Sequence, residues 1–434
     1  MITIYVHCIN KRIEYIFQHV FHNMLGTDYV LTDDVDAYSQ APGHCINYSS
    51  TNLNKGIWIY PHPLLSKTGI SRQTIQIGRW EELPCFFLQS QGDIPFDLFA
   101  AAFYQLTRYE EYGCTELDKF GRFIGENSLA YKENFLQIPL VDRWVFRLKD
   151  LLLADGDAGD FNPRVFRLIS TFDIDFPFRY RNKGLIKNLM SGVSDLLHKN
   201  LSGIKEMLLT QLHLQADPCM KALANIDALY KRHDKDYFLF IHVGQYGKYD
   251  RRTIYPLRRY YRYLRSLYNV RFGLHPSFHA SFDAVLIRQE KQKLEKILGF
   301  SIARNRQHFL RMKMPHTYKS LNTLDFIEDF TLIYASLPGF RASTAIPFHF
   351  FDLQANEQTS LLIRPTIIMD TTFTSYLQLQ PDEALENIKT LMQECMLSGG
   401  DFTMLWHPST WTGLRGDAWY RIFTECFLYG ISNQ

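Results

Sequence analysis

The chain has 434 residues, of which 46% are hydrophobic and 21% charged, so a disordered or fibrous protein is excluded. A formal net charge of +2 argues against a broad nucleic-acid footprint. The seven cysteines are scattered and form no C-x-x-C pair, which excludes a disulfide framework or zinc-finger spacing and suggests reduced thiols in a cytoplasmic protein.

Residues 2–9, "ITIYVHCI", alternate as a strand does. The N-terminus lacks the uninterrupted apolar core of a signal peptide. No run of about 18 apolar residues occurs anywhere, so no transmembrane helix is expected. Residues 95–112, "PFDLFAAAFYQLTRYEEY", read as a helix opened by Pro95, with an apolar stripe at Phe99, Phe103 and Leu106. Its last turn, with Arg108, Glu110 and Glu111, is expected to face water. Residues 154–164, "ADGDAGDFNPR", have linker composition. They divide the chain into a first α/β domain (1–155), a linker (156–164) and a larger second domain (165–434).

In the second domain strands are expected over 165–173, 237–243, 269–275, 300–309, 330–336, 360–368 and 402–407, with helices between most of them, among them 282–299 and 381–400. Such alternation implies a parallel sheet, open or closed into a barrel, with ligands at the C-terminal ends of the strands. Residues 249–273 interleave arginine and tyrosine. That pattern is read as an outer helix with an arginine-rich solvent face, and less readily as a patch for an anionic polymer.

The polar residues at strand ends carry the chemistry. Asp173 and Asp175 in "STFDIDFP" point the same way if the segment is a strand, because side chains alternate. Two adjacent like charges are awkward unless a cation lies beside one of them. His275 and His279 in "GLHPSFHAS" have H-x-x-x-H spacing, which is used by metal sites. Two histidines and a carboxylate make a catalytic zinc set, leaving the second aspartate free as a base. His407 in "LWHPS" is placed to act as a general acid, and Asp370 in "IMDTT" to pair with it and raise its pKa. In "RNRQHFLRM", Arg306 can orient the free aspartate. His308 and, in "PGFRAST", Arg341 are candidates for substrate contact, with a structural ion pair as the alternative for Arg341.

These segments resemble the motifs of the polysaccharide deacetylases, the NodB-homology family. "TFDID" is similar to the family's T-F-D-D, His275 and His279 to its H-x-x-x-H, Arg306 in "RQHF" to its R-x-P-Y, and Leu405 with His407 to its strand-terminal L-x-H. The whole chain looks like a bacterial branch with an added N-terminal domain of unassigned role. The resemblance implies an α/β fold whose C-terminal part is a deformed (β/α)7 barrel. It implies a metal-dependent N-deacetylase acting on an N-acetylated sugar or polysaccharide and releasing acetate. Asp175, His275 and His279 would then hold a divalent ion, expected to be zinc. Asp173 would be the base, His407 with Asp370 the acid, and Arg306 the group that orients the base. Ile174 between the aspartates and His308 in place of proline depart from the family pattern. They leave a second expectation, a catalytically degenerate barrel that binds or assembles carbohydrate.

Overall fold

The computed structural model describes residues 1–154, 161–181, 201–244, 247–250, 258–412 and 416–434. Residue 155, residues 156–160 of the expected linker and 251–257 of the arginine–tyrosine segment lie outside the described residues.

The first part begins with a four-stranded parallel sheet. Its strands are β1 (Ile2–Val6), β2 (Tyr29–Thr32), β3 (His44–Tyr48) and β4 (Ile57–Trp58), in the order β2-β1-β3-β4. β5 (Gly78–Trp80) and β6 (Leu83–Cys85) form a separate antiparallel pair. The helix expected from residue 95 starts later, at Leu98, and runs to Leu106. Asp97 caps it, its carboxylate accepting the Ala100 N–H at 2.9 Å. Every residue of this helix is buried, not just one stripe, because chain packs against it on all sides.

The second part holds a nine-stranded sheet. Its strands are β7 (Arg167–Ile174), β8 (Tyr237–His242), β9 (Val270–His275), β10 (Arg304–Asn305), β11 (Glu328–Asp329), β12 (Phe348–Asp352), β13 (Glu357–Ile363), β14 (Ile368–Met369) and β15 (Asp401–Trp406). The order is β12-β13-β11-β10-β9-β8-β7-β15-β14, parallel throughout except between β12 and β13. The helices expected over 282–299 and 381–400 are found at Ala284–Leu298 and Pro381–Leu397. Residues 330–336, expected as a strand, leave the ladder after Asp329. In the arginine–tyrosine segment a helix spans Arg258–Arg265, with Tyr260 and Leu264 buried and Arg258, Arg259, Arg262 and Arg265 exposed, an amphipathic outer helix as its spacing suggests.

The result is a mixed α/β fold with a large, mostly parallel sheet. A closed barrel is not shown, since the ladder order begins at β12 and ends at β14. The sheet is nevertheless strongly curled. β7 and β10 are three strand spacings apart, about 14 Å in a flat sheet. The Arg306 guanidinium, just past β10, still donates to Thr171 Oγ1 on β7 at 2.8 Å. The chain from β13 to β14 also bridges the two sides of the curl: Thr366 N–H donates to the Leu332 carbonyl and Ile367 N–H to the Thr403 carbonyl. Among the described residues, no helix is long and apolar enough to cross a membrane.

The two parts share one hydrophobic core, which runs from Ile2 to Phe427. Polar contacts reinforce the join. Tyr15 hydroxyl donates to the His349 carbonyl at 2.8 Å, and Asp142 accepts the Ala345 N–H at 2.9 Å. The turn with Arg108 and Glu111, expected at the surface, is buried here. Glu111 accepts from Arg108 Nε at 2.9 Å and from both Nε and Nη2 of Arg341, at 3.0 and 2.7 Å. Burial alone would raise the Glu111 carboxyl, but Arg341 and Arg108 hold it below its ordinary range. The sequence cannot distinguish this turn from a solvated one, because the partner is 230 residues away.

Candidate metal centre and active-site cleft

The C-terminal ends of β7, β9, β10 and β15 meet at a cleft of about 270 Å³. Asp173 is the last residue but one of β7, within its buried run, and Asp175 follows the strand. Ile174 between them packs into the core, so both carboxylates turn to the cleft side. His275 Nε2 lies 3.7 Å from Asp173 Oδ2 and 3.3 Å from Asp175 Oδ1.

The third member of this group is His308, whose Nε2 lies 3.6 Å from Asp175 Oδ1. His279 does not join it. That residue is exposed, one turn beyond His275, where the chain forms a short turn at Ala280–Phe282 and not the α-helix that would stack i and i+4. Among the described residues, two groups have the composition and spacing to hold a metal ion: Asp175, His275 and His308, and His242, Asp250 and His308. His308 thus stands where His279 was expected and is a ligand candidate in the wall of the cleft. It is presented on a strained turn, with Phe309 at φ 59° and Leu310 at φ 53°.

The ring orientations favour metal binding at the first group. His275 Nδ1–H donates to the Arg306 carbonyl at 2.7 Å, and His308 Nδ1–H donates to Asp250 Oδ1 at 2.8 Å. With each Nδ1 protonated, the neutral rings present Nε2 lone pairs towards Asp175. Among the described residues, Asp175 Oδ1 and His275 Nε2 are buried without a hydrogen-bond partner, as expected of atoms prepared for a cation. Burial would raise the Asp175 carboxyl, but the close approach of His275, with His407 and His308 nearby, holds it well below the carboxylate range. Burial would lower His275, yet Asp173 and Asp175 raise it above its ordinary value. A divalent ion would replace that proton. The residues therefore fit a metal of the zinc type, with one carboxylate and two imidazoles.

Sequence reasoning missed Asp250 and His242. Asp250 lies in a loop beyond β8 and is read only through its contact with His308. His242 ends β8 as His275 ends β9, so the strand-end rule that found His275 applies equally to it. Burial, with His308 and His275 beside it, pushes His242 down to about 4.

Arg306 is fully buried and touches the groups expected of it. Nη1 is 3.4 Å from Asp173 Oδ1, Nη2 donates to Thr366 Oγ1 at 3.0 Å, and Nε donates to the Phe330 carbonyl at 3.1 Å. Across the cleft, His407 Nδ1–H donates to Asp370 Oδ1 at 2.7 Å. Asp370 Oδ2 also accepts the His407 N–H at 2.8 Å and the Thr410 hydroxyl at 2.6 Å. The ring is thereby fixed with Nε2 free for the cleft. Burial alone would lower His407, but Asp370, then Asp175 and Asp173, push it up to about 10. Arg341, offered as a substrate contact, is instead committed to Glu111 and to the Ile333 carbonyl. The first part of the chain contributes Arg122 to the cleft wall, where it is held by Asp118, the Phe309 carbonyl and the Tyr376 hydroxyl.

The His407–Asp370 pair has a measurable consequence. A histidine raised from about 6.5 in the unfolded chain to about 10 in the fold stabilises the protein fully below pH ~6.5. That contribution fades as pH climbs towards 10. Asp370→Asn removes the main cause of the rise, so the urea midpoint of the variant should vary less across this window than that of the wild type. An unchanged pH profile would show that Asp370 is not what holds the proton.

A sequence family described as a family of unknown function (DUF7033) matches residues 2–156. No curated protein matches the chain. Among solved structures, the chain is similar to a Mycobacterium smegmatis protein named as a polysaccharide deacetylase, with a TM-score of 0.39 and 16% identity over 61% of this chain and 84% of that one. It is also similar to a CE4 family pseudoenzyme from Bacillus anthracis, with a TM-score of 0.31 and 12% identity over 62% of this chain and 63% of that one. A mutant of that pseudoenzyme with restored enzymatic activity gives a TM-score of 0.31 and 13% identity, over 62% and 65% of the two chains.

Proposed function

We propose that the protein is a metal-dependent carbohydrate N-deacetylase, hydrolysing the acetamide of an N-acetylated sugar or glycan. One observation carries the reading. Three potential ligands, Asp175 and the Nε2 atoms of His275 and His308, converge at one point of a cleft that also holds Asp173 and His407. This is the set that amide hydrolysis needs: a cation site, a base and an acid. The family motifs in the sequence point to the same chemistry.

A bound divalent ion, for which zinc is the leading candidate, would polarise the acetamide carbonyl and make water a better nucleophile. Asp173 accepts the proton of the attacking water, with its carboxylate oriented by Arg306. His407 donates its Nε2 proton to the departing sugar nitrogen, and Asp370 stabilises the charged ring before that transfer. Acetate and an amino sugar are the products. Asp173 and Asp175 thus divide the work: one carboxylate serves the cation and the other moves the proton.

Zinc-loaded protein is expected to release acetate from N-acetylated oligosaccharides, and Asp173→Asn should lower turnover by about 10²–10⁴-fold, the usual contribution of a general base. Acetate release that is absent with zinc, cobalt and manganese alike would overturn the proposal. It would favour the reading as a degenerate carbohydrate-binding barrel, in which Asp173→Asn leaves glycan binding intact.

A further inference from the structure

The first part of the chain contains a second cavity, of about 170 Å³, whose lining shares no residue with the cleft. Arg12, His62, Lys67, Arg72, Ser71 and Tyr109 are among its walls, and no aspartate or glutamate lines it. Arg12 is the anomaly. Five arginines are buried among the described residues: Arg12, Arg108, Arg122, Arg306 and Arg341. Four of them have a carboxylate partner: Arg108 with Glu111, Arg122 with Asp118, Arg306 with Asp173, and Arg341 with Glu111. Arg12, only 1% exposed, has none among the described residues. Its guanidinium is held by neutral groups alone: Asn356 Oδ1 at 2.9 Å, the Leu64 carbonyl at 2.8 Å, the Gly69 carbonyl at 2.6 Å and the Tyr109 hydroxyl. A guanidinium has five N–H groups, and none of them meets a carboxylate among the described residues. A buried charge with no counter-charge is costly, and burial does push Arg12 below its ordinary value.

The other walls are also donors. His62 Nδ1 accepts the Leu64 N–H at 3.2 Å, so its proton sits on Nε2. Tyr109 hydroxyl accepts the Ser71 N–H at 2.8 Å, which leaves its own proton to give. Lys67 and Arg72 are exposed at the rim, and Lys67, after burial, helps to push His62 down, a sign of positive local potential.

We propose that this cavity binds a small, multiply charged oxyanion, a phosphate or the head of a phosphomonoester. Such a ligand supplies the charge that Arg12 lacks and accepts hydrogen bonds from several donors at once. The volume lies below the roughly 300–1,000 Å³ of pockets that enclose whole small molecules, so any larger group attached to the phosphate extends into solvent. A ligand here would lock residues 64–69 onto Arg12 and, through Asn356, onto the second part of the chain.

The test is calorimetric titration of the full chain with inorganic phosphate and, separately, with glucose 6-phosphate, at about 0.15 M salt, where non-specific surface attraction is largely screened. Saturable binding is expected, with the double variant Lys67→Ala, Arg72→Ala weakening it at least ~10-fold through loss of two charge-assisted hydrogen bonds. Both residues are exposed, so the variant should fold, and Lys296→Ala on a distant exposed face should bind as the wild type does. Tighter binding of the sugar phosphate would assign an ester, and equal binding the free ion. No saturable binding, or equal affinity in the double variant, overturns the proposal. Citrate binding with no response to either phosphate overturns the ligand class.

Discussion

Replacing His308 by alanine should abolish tight zinc binding, whereas replacing His279 should leave it unchanged. The sequence suggested His279 as the ligand and His308 as a substrate contact, but His308 Nε2 is 3.6 Å from Asp175 Oδ1, while His279 is exposed. Disturbing the hydrogen-bonded partner of a metal ligand costs about 10–100-fold in affinity. Removing the ligand itself should exceed that, and Asp250→Asn, which spoils only the support of His308 Nδ1, should fall within it. A competition titration against a chromophoric chelator, with circular dichroism as the check on folding, reads all three variants. Zinc lost in His279→Ala and retained in His308→Ala would sink the assignment of the centre.

Glu111→Gln is expected to destabilise the protein by about 3–5 kcal/mol, the usual cost of removing one partner from a buried ion pair. The carboxylate of Glu111 serves two buried arginines, and Arg341 has no other acidic partner among the described residues. Arg341 also donates to the Ile333 carbonyl at 3.0 Å, and Ile333 leads into Ala335 on the cleft wall. The substitution should therefore loosen the cleft as well as the join between the two parts. Chemical unfolding measures the first effect and the substrate KM the second. A loss of stability under about 1 kcal/mol, the median for exposed pairs, would show that this triad is not the tie proposed here.

Much of the second part was legible in the sequence. Buried, mostly apolar runs mark β7, β9 and β15, and polar residues at or just past their ends, Asp173, His275 and His407, do line the cleft. The pairing of Asp370 with His407 and of Arg306 with Asp173 was also anticipated, because both rest on the rule that strand ends converge. His279 misled because H-x-x-x-H spacing brings two rings together only on a continuous helix, and the chain turns otherwise after Pro276. The buried turn at Arg108 misled for a different reason: a charged helix end looks the same in sequence whether it meets water or another charge.

What the sequence determined by itself, then, is the local inventory: strand and helix periodicity, two aspartates on one strand face, and histidines at strand ends. These depend on spacings of two to four residues, which the backbone imposes on any chain. The tertiary structure alone decided which of the fifteen histidines meet Asp175, that Asp250 stands behind His308, and that Arg12 is buried without a counter-charge among the described residues. Those contacts join residues tens to hundreds of positions apart. The curl of the sheet and the docking of the first part place them, and no short stretch of sequence encodes either one.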